Sequence, residues 1–114
     1  MSLQELLGEL TRVSGVRGAL VVSREDGLVV ADALMESVDG KAVAALAASL
    51  TGRMSGVTAA LGQPEPAAWQ LQGSDGILLA APGREGLLIV AVADAQVNAG
   101  ELRLRVLSVA GRAA

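Results

Sequence analysis

Cysteine and histidine are both absent from this chain, and the aromatic side chains are reduced to one tryptophan, Trp69. Lack of cysteine excludes disulfides and zinc ribbons and fits a reducing compartment. Without His or Cys, neither Ser-His-Asp nor Cys-His nucleophilic arrangements can be assembled, nor can the usual transition-metal sites. Most hydrolase chemistries fall away, and the sequence nominates no catalytic residue, no metal ligand and no cofactor-binding residue. With no Phe or Tyr, the core must be packed from Leu, Val, Ala and Ile, with little aromatic stacking. Basic residues are few and scattered in a chain of net charge −3, which argues against nucleic acid as a partner. The first residues, MSLQELLGEL, contain neither a basic opening nor an uninterrupted apolar segment, so no secretory signal is read and a cytoplasmic protein is expected.

What is present describes a packed globule. Of 114 residues, 52% are apolar and 18% charged, a balance that gives one domain over residues 1–114 with a single aliphatic core. A chain of this length buries roughly 60 to 70% of its unfolded surface. No internal repeat or low-complexity segment interrupts it. Arg outnumbers Lys, and Ala, Gly and Val abound, a composition that hints at a GC-rich bacterial genome.

The chain is organised around residues 39–61, DGKAVAALAASLTGRMSGVTAAL, which read as a long helix capped by Asp39. Val43, Leu46, Ala47, Leu50, Met54, Val57 and Leu61 recur at helical spacing and are expected to face the core. The opposite side carries Ala45, Ala48, Ser49, Gly52, Gly56 and Ala59, small residues where a solvated helix normally places charge. Each interior glycine costs about 1 kcal/mol relative to alanine, so Gly52 and Gly56 point to close approach by another backbone. The competing reading is an Ala-rich solvent face, with the glycines marking a kink or an early end. Arg53 in mid-stretch argues against a membrane span.

Elsewhere, Ser2 and Glu5 form a capping box ahead of a stripe of Leu3, Leu6, Leu7, Leu10 and Val13, and Gly15 stops that helix. Residues 16–23, VRGALVVS, read as a strand covered on both sides, REDG as a turn, and residues 28–31 as the returning strand. After GQPEP, which cannot be helix interior, residues 67–72 alternate like a half-exposed edge strand, with Trp69 and Leu71 pointing one way. The turn GSDG leads to a strand at residues 77–81, and PGREG leads to LLIVAVA at residues 87–93, the most continuous apolar run and so the expected sheet centre. A closing helix follows, with Leu102, Leu104, Val106, Leu107, Val109 and Ala110 as its apolar positions and Glu101, Arg103, Arg105 and Arg112 as its charges; its C-terminal arginines suit the helix dipole. The order α-β-β-α-β-β-β-α with tight turns predicts an α/β (α+β) fold: a five-stranded antiparallel sheet with helices on both faces.

The first helix, the run GVRGALVVSREDGLVVA over residues 15–31, the Ala-rich helix and the three strands after it together resemble the Roadblock family, a profilin-like fold that includes dynein light chains and bacterial regulators of small Ras-like GTPases. The resemblance covers almost the whole chain. It implies a homodimer in which the third strand and second helix meet their symmetry mates, joining two sheets into one. Trp69 and Leu71 would then lie beside the seam, and the small-residue face would lie at the seam or on a surface offered to a partner. The long terminal extension of some relatives is not seen in this sequence, and no activity depending on such an arm is expected.

Glu25, Asp26 and Asp75 sit in predicted turns, where carboxylates serve backbone hydrogen bonds. Gly40 and Lys41 lack the rest of a Walker pattern, so no nucleotide is expected to bind. Trp69 is either an interface anchor or a cover for an aromatic-poor core. Arg53 and Arg84 are candidate partner contacts or merely solvated. The expectation is a non-enzymatic homodimer that binds a small Ras-like GTPase and tunes its nucleotide cycle. The alternatives are an adaptor subunit with no effect on hydrolysis and, more remotely, a small-molecule sensor, which would need a sizeable apolar pocket.

Overall fold

The two runs that lack alternation, VRGALVVS and LLIVAVAD, become the strands with the longest buried stretches. The computed structural model describes residues 2–113. Its elements follow in the order α1 (Leu3–Thr11), β1 (Val16–Ser23), β2 (Val29–Leu34), α2 (Gly40–Ala60), β3 (Trp69–Gln72), β4 (Gly76–Pro82), β5 (Leu87–Asp94) and α3 (Ala99–Arg112). The strands form one antiparallel sheet in the order β2-β1-β5-β4-β3. The most apolar run, β5, is its centre, as its composition requires.

Two cores lie on the two faces. On one, α1 and α3 pack Leu6, Leu7, Leu10, Leu102, Val106 and Val109 against Val21, Leu79 and Ile89. On the other, α2 alone covers Leu20, Val22, Ala80, Leu88 and Val90. Local chemistry starts each helix. Ser2 and Glu5 complete both arms of the capping box, the Asp39 carboxylate accepts from the Ala42 N–H at 3.2 Å, and Asn98 accepts from Glu101 N–H at 3.0 Å.

Two strands and one helix face differ most from the sequence expectation. β2 begins at Val29 and runs on to Leu34. A bulge between Val21 and Val22 changes its register, after which Ala31 and Ala33 turn toward the α1 side and Asp32 stays exposed. That mixture of Ala and Asp disguised the strand. β3 is confined to Trp69–Gln72, with the chain bending at Ala67 ahead of it. In α3, Leu104 faces outward at 69% exposure and belongs to no core.

α1 and α3 are also tied at their ends. Arg112 donates to both carboxylate oxygens of Glu9, at 2.9 and 2.7 Å. That hydrogen bond, helped by the charges of Arg112, Arg105 and Arg12, holds the Glu9 carboxyl below the ordinary glutamate range despite some desolvation. Since the folded-state value is lowered, the stability from this pair is fully present above the ordinary value and is lost as pH falls through the lowered one. Arg112→Ala is expected to return Glu9 to the ordinary range in an NMR carboxyl titration and to flatten the pH dependence of stability in that acid window. An unchanged Glu9 titration would contradict the assignment.

Candidate protein-interaction surface

The seat of α2 on the sheet is made by small side chains. Ala44, Ala47 and Thr51 are its buried residues, and they let the helix approach the strands closely. At the β1–β2 turn the approach is closest: Gly27 has φ 72°, and a Cβ there would lie 3.2 Å from the Cα of Ala45. The opposite side of the seat is fixed by Trp69. Its indole Nε1 donates to Thr51 Oγ1 at 2.8 Å, and Thr51 Oγ1 donates to the Ala47 carbonyl at 2.8 Å. Trp69 is therefore buried, at 7% exposure, as a clamp between α2 and β3. It does not stand on a half-exposed strand face, and it is not available as a surface anchor in the single chain.

This seat keeps only part of the expected core stripe of α2: Ala47 is buried within it. Leu46, Val57 and Leu61 are 61%, 61% and 70% exposed, while Val43, Leu50 and Met54 are only partly buried. The reason is geometric. Ala45 and Ala48 line the side facing the β1–β2 turn, so at 100° per residue the large side chains fall on the opposite flank of the seat. Leu71, one pleat beyond Trp69, continues this apolar surface at 55% exposure. Beside it lies an open depression of about 550 Å³, lined mostly by apolar atoms of Val43, Leu71, Ile77, Leu78 and Val92, with Arg17 and Asp75 at its rim. β3 itself pairs only with β4. Its other edge is open, and its sequence WQLQ lacks the Lys, Pro or acidic residue with which edge strands are usually blunted.

The small-residue side of α2 is not buried within this chain. Ala45, Ser49, Gly52, Gly56 and Ala59 are exposed and Ala48 half-buried, and a Cβ at Gly52 or Gly56 would meet nothing within 4 Å. Arg53 is exposed between this side and the leucine flank, and Arg84 is exposed in the β4–β5 turn. The side chains expected together at one seam are thus turned different ways: Leu71 lines a depression with Val43, the glycines face open space, and Trp69 lies buried against Thr51. Sequence reasoning missed Leu46, Val57 and Leu61 as surface residues. The one available signal was that a helix with two apolar faces cannot put both against a single sheet.

The carboxylates considered for chemistry serve structure or stand alone. Asp26 accepts the Leu28 N–H at 3.2 Å within its turn. Glu65 is held by Arg24, with Ser55 donating to it at 2.6 Å, which ties the segment after α2 to the end of β1. Among the described residues there is no cluster of three Asp or Glu side chains suited to a metal ion.

Exposed Leu46, Val57 and Leu61 on α2 and exposed Leu71 on an uncharged edge strand are features that mark interaction surfaces. The chain belongs to the Roadblock/LC7 family, whose domain model matches residues 2–93. Two uncharacterised proteins of Methanocaldococcus jannaschii are each 34% identical over 102 residues, covering 90% of this chain and 88% and 85% of their own lengths. Among solved structures, an MglB in a tetrameric arrangement superposes with a TM-score of 0.85 at 26% identity, covering 96% of this chain and 82% of that one. MglB of Myxococcus xanthus gives 0.82 at 18% identity, with 96% and 92% covered. A Roadblock/LC7 domain from Streptomyces avermitilis gives 0.80 at 22%, with the same coverage.

Thr51→Val removes the hydroxyl that accepts from Trp69 while keeping the volume. It is expected to lower stability by about 1–3 kcal/mol, the cost of a buried unsatisfied donor, and to shift the emission of the chain's one tryptophan. Urea unfolding with fluorescence detection checks both, and unchanged stability would show that the clamp carries no weight.

Proposed function

We propose that this chain is a non-enzymatic, homodimeric regulator that binds a small Ras-like GTPase and modulates its nucleotide cycle. The observations that carry the proposal are the exposed Leu46, Val57 and Leu61 of α2, the exposed Leu71 of β3, and the open outer edge of β3. In a two-fold dimer every residue of such a patch is used twice. Burying an exposed Leu or Val is worth about 1.5–3 kcal/mol. Six to eight such side chains therefore reach the range of about 4–15 kcal/mol that association costs, before any backbone hydrogen bonds between β3 strands are counted.

In this reading the seam is formed by the large apolar flank together with β3. The small-residue side, with Ala45, Ala48, Ser49, Gly52, Arg53, Gly56 and Ala59, remains outside as a platform for the GTPase. Residues without bulk allow close contact by a partner's backbone, and Arg53 supplies the charge at the margin. The family likeness and the MglB neighbours support the choice of partner class. Such a regulator acts by holding switch segments in one arrangement, and it shifts the nucleotide cycle only as far as its affinities for the two nucleotide states differ.

Leu46→Asp combined with Leu71→Asp should reduce the solution mass to that of one chain. Gly52→Leu with Gly56→Leu should leave the dimer intact and abolish capture of the GTPase. Light scattering and pull-down against GTPases loaded with GDP or a GTP analogue, with a turnover assay, read these outcomes. Equal capture of both states without an effect on turnover would make the chain an adaptor, and no capture of any GTPase would end the regulator reading.

A further inference from the structure

Asp followed by Gly occurs three times in this chain, at Asp26–Gly27, Asp39–Gly40 and Asp75–Gly76. An aspartate ahead of a glycine is open to attack on its own side chain, because no Cβ on the next residue shields that residue's amide nitrogen. Folding closes two of the three pairs. At Asp26 the carboxylate accepts the Leu28 N–H at 3.2 Å, and the Gly27 N–H donates to the Ser23 carbonyl at 2.8 Å, so both reacting groups are engaged. Gly27 is also pressed against α2, where a Cβ would lie 3.2 Å from the Cα of Ala45. At Asp39 the carboxylate caps α2 by accepting the Ala42 N–H at 3.2 Å, the Asp39 carbonyl accepts the Val43 N–H at 3.0 Å, and Gly40 is packed against Leu34.

Asp75 has none of this. It stands in the β3–β4 turn, where residues 71–75 are all exposed, and its carboxylate has no hydrogen-bond or ionic partner among the described residues. The Gly73 N–H donates to the Gly76 carbonyl at 2.9 Å, but among the described residues no bond from the Gly76 N–H returns to Gly73. The N–H and C=O of a strand residue point to the same side, so the Gly76 nitrogen faces the turn. Carboxyl and amide are therefore both free, in a segment with little packing to oppose a change of torsion.

We propose that Asp75 is a site of spontaneous isoaspartate formation in the folded protein, while Asp26 and Asp39 are protected. The Gly76 nitrogen gives up its proton and attacks the side-chain carboxyl carbon of Asp75; the C–N bond forms and one carboxyl oxygen leaves as water. Addition of water to the resulting cyclic imide breaks one of two C–N bonds. Breaking the new bond restores aspartate, and breaking the original peptide bond leaves the chain running through the side chain. No oxidant, reductant or enzyme is needed. The isoaspartyl link adds one atom to the backbone of the turn that sets the pairing of β3 with β4. The reaction needs neither a GTPase nor a second copy.

The test ages the full chain at neutral pH, folded and in guanidinium chloride, and digests both samples with trypsin once the denaturant is removed. Trypsin releases residues 54–84, whose one aspartate is Asp75, and residues 25–41, which carry Asp26, Asp32 and Asp39. Isoaspartate in each peptide is read by methyl transfer from S-adenosylmethionine with purified L-isoaspartyl methyltransferase, and electron-transfer fragmentation locates it. In the folded chain, methylation of the 54–84 peptide should rise with time severalfold faster than that of the 25–41 peptide. In the unfolded chain both should rise at comparable rates, since the protection of Asp26 and Asp39 is a property of the fold. Asp75→Glu, whose longer side chain disfavours the ring, removes the signal from the 54–84 peptide, and Asp75→Asn raises it, with ammonia leaving in place of water; circular dichroism confirms that each variant is folded. Absence of isoaspartate at residue 75 in the folded chain would overturn the proposal, as would its appearance at Asp26 or Asp39 at the same rate.

Discussion

The close seat of α2 on the sheet is the constraint on which the surface of this molecule depends. Ala44, Ala47 and Thr51 carry the helix down onto the strands, and the hydrogen bond from Trp69 to Thr51 fixes its rotation about its own axis. Once that rotation is set, helical geometry decides where every other side chain goes. The bulky residues are turned toward the open edge, and the small ones toward the β1–β2 turn and solvent. A helix rotated by a third of a turn would bury Leu46 and Val57, expose the alanines, and leave the β3 side without an apolar surface.

Much of the fold could be read from the residues because local and global preferences agree. The capping box at Ser2, the cap at Asp39, the turn glycines, the stripe on α1 and the unbroken run of β5 each name one structure, and the sheet follows from their order. The α2 surface could not be read in the same way. Leu46, Leu50, Val57 and Leu61 have the same spacing whether their own sheet covers them or another molecule does, and alanines in a seat give no hydrophobic signal strong enough to compete. The clamp was hidden too, since Trp69 and Thr51 are far apart in sequence and nothing in either neighbourhood announces the other. Gly52 and Gly56 invited the inference of a close backbone; within one chain they have open space, and it is there that the proposed partner contact is placed.

The two ends of the sheet differ in chemistry. The β3 end is uncharged, with Leu71 exposed between two glutamines, and is suited to pairing with an identical strand. The β2 end is acidic, interrupted by a bulge, and resists pairing with a copy of itself through like charge. In the proposed dimer, a sheet with one permissive and one repelling end extends in one direction only, giving a two-chain unit instead of an open stack of strands.

The central claim is that the β3 edge and the leucine flank of α2 are covered by a second chain. Hydrogen–deuterium exchange of residues 69–72, followed as a function of protein concentration, tests it most directly. Strand amides on the side away from β4 should be slowed as the two-chain unit forms and should exchange fast on dilution. Fast exchange of those amides at every concentration, in a chain whose mass remains that of one copy, would contradict it.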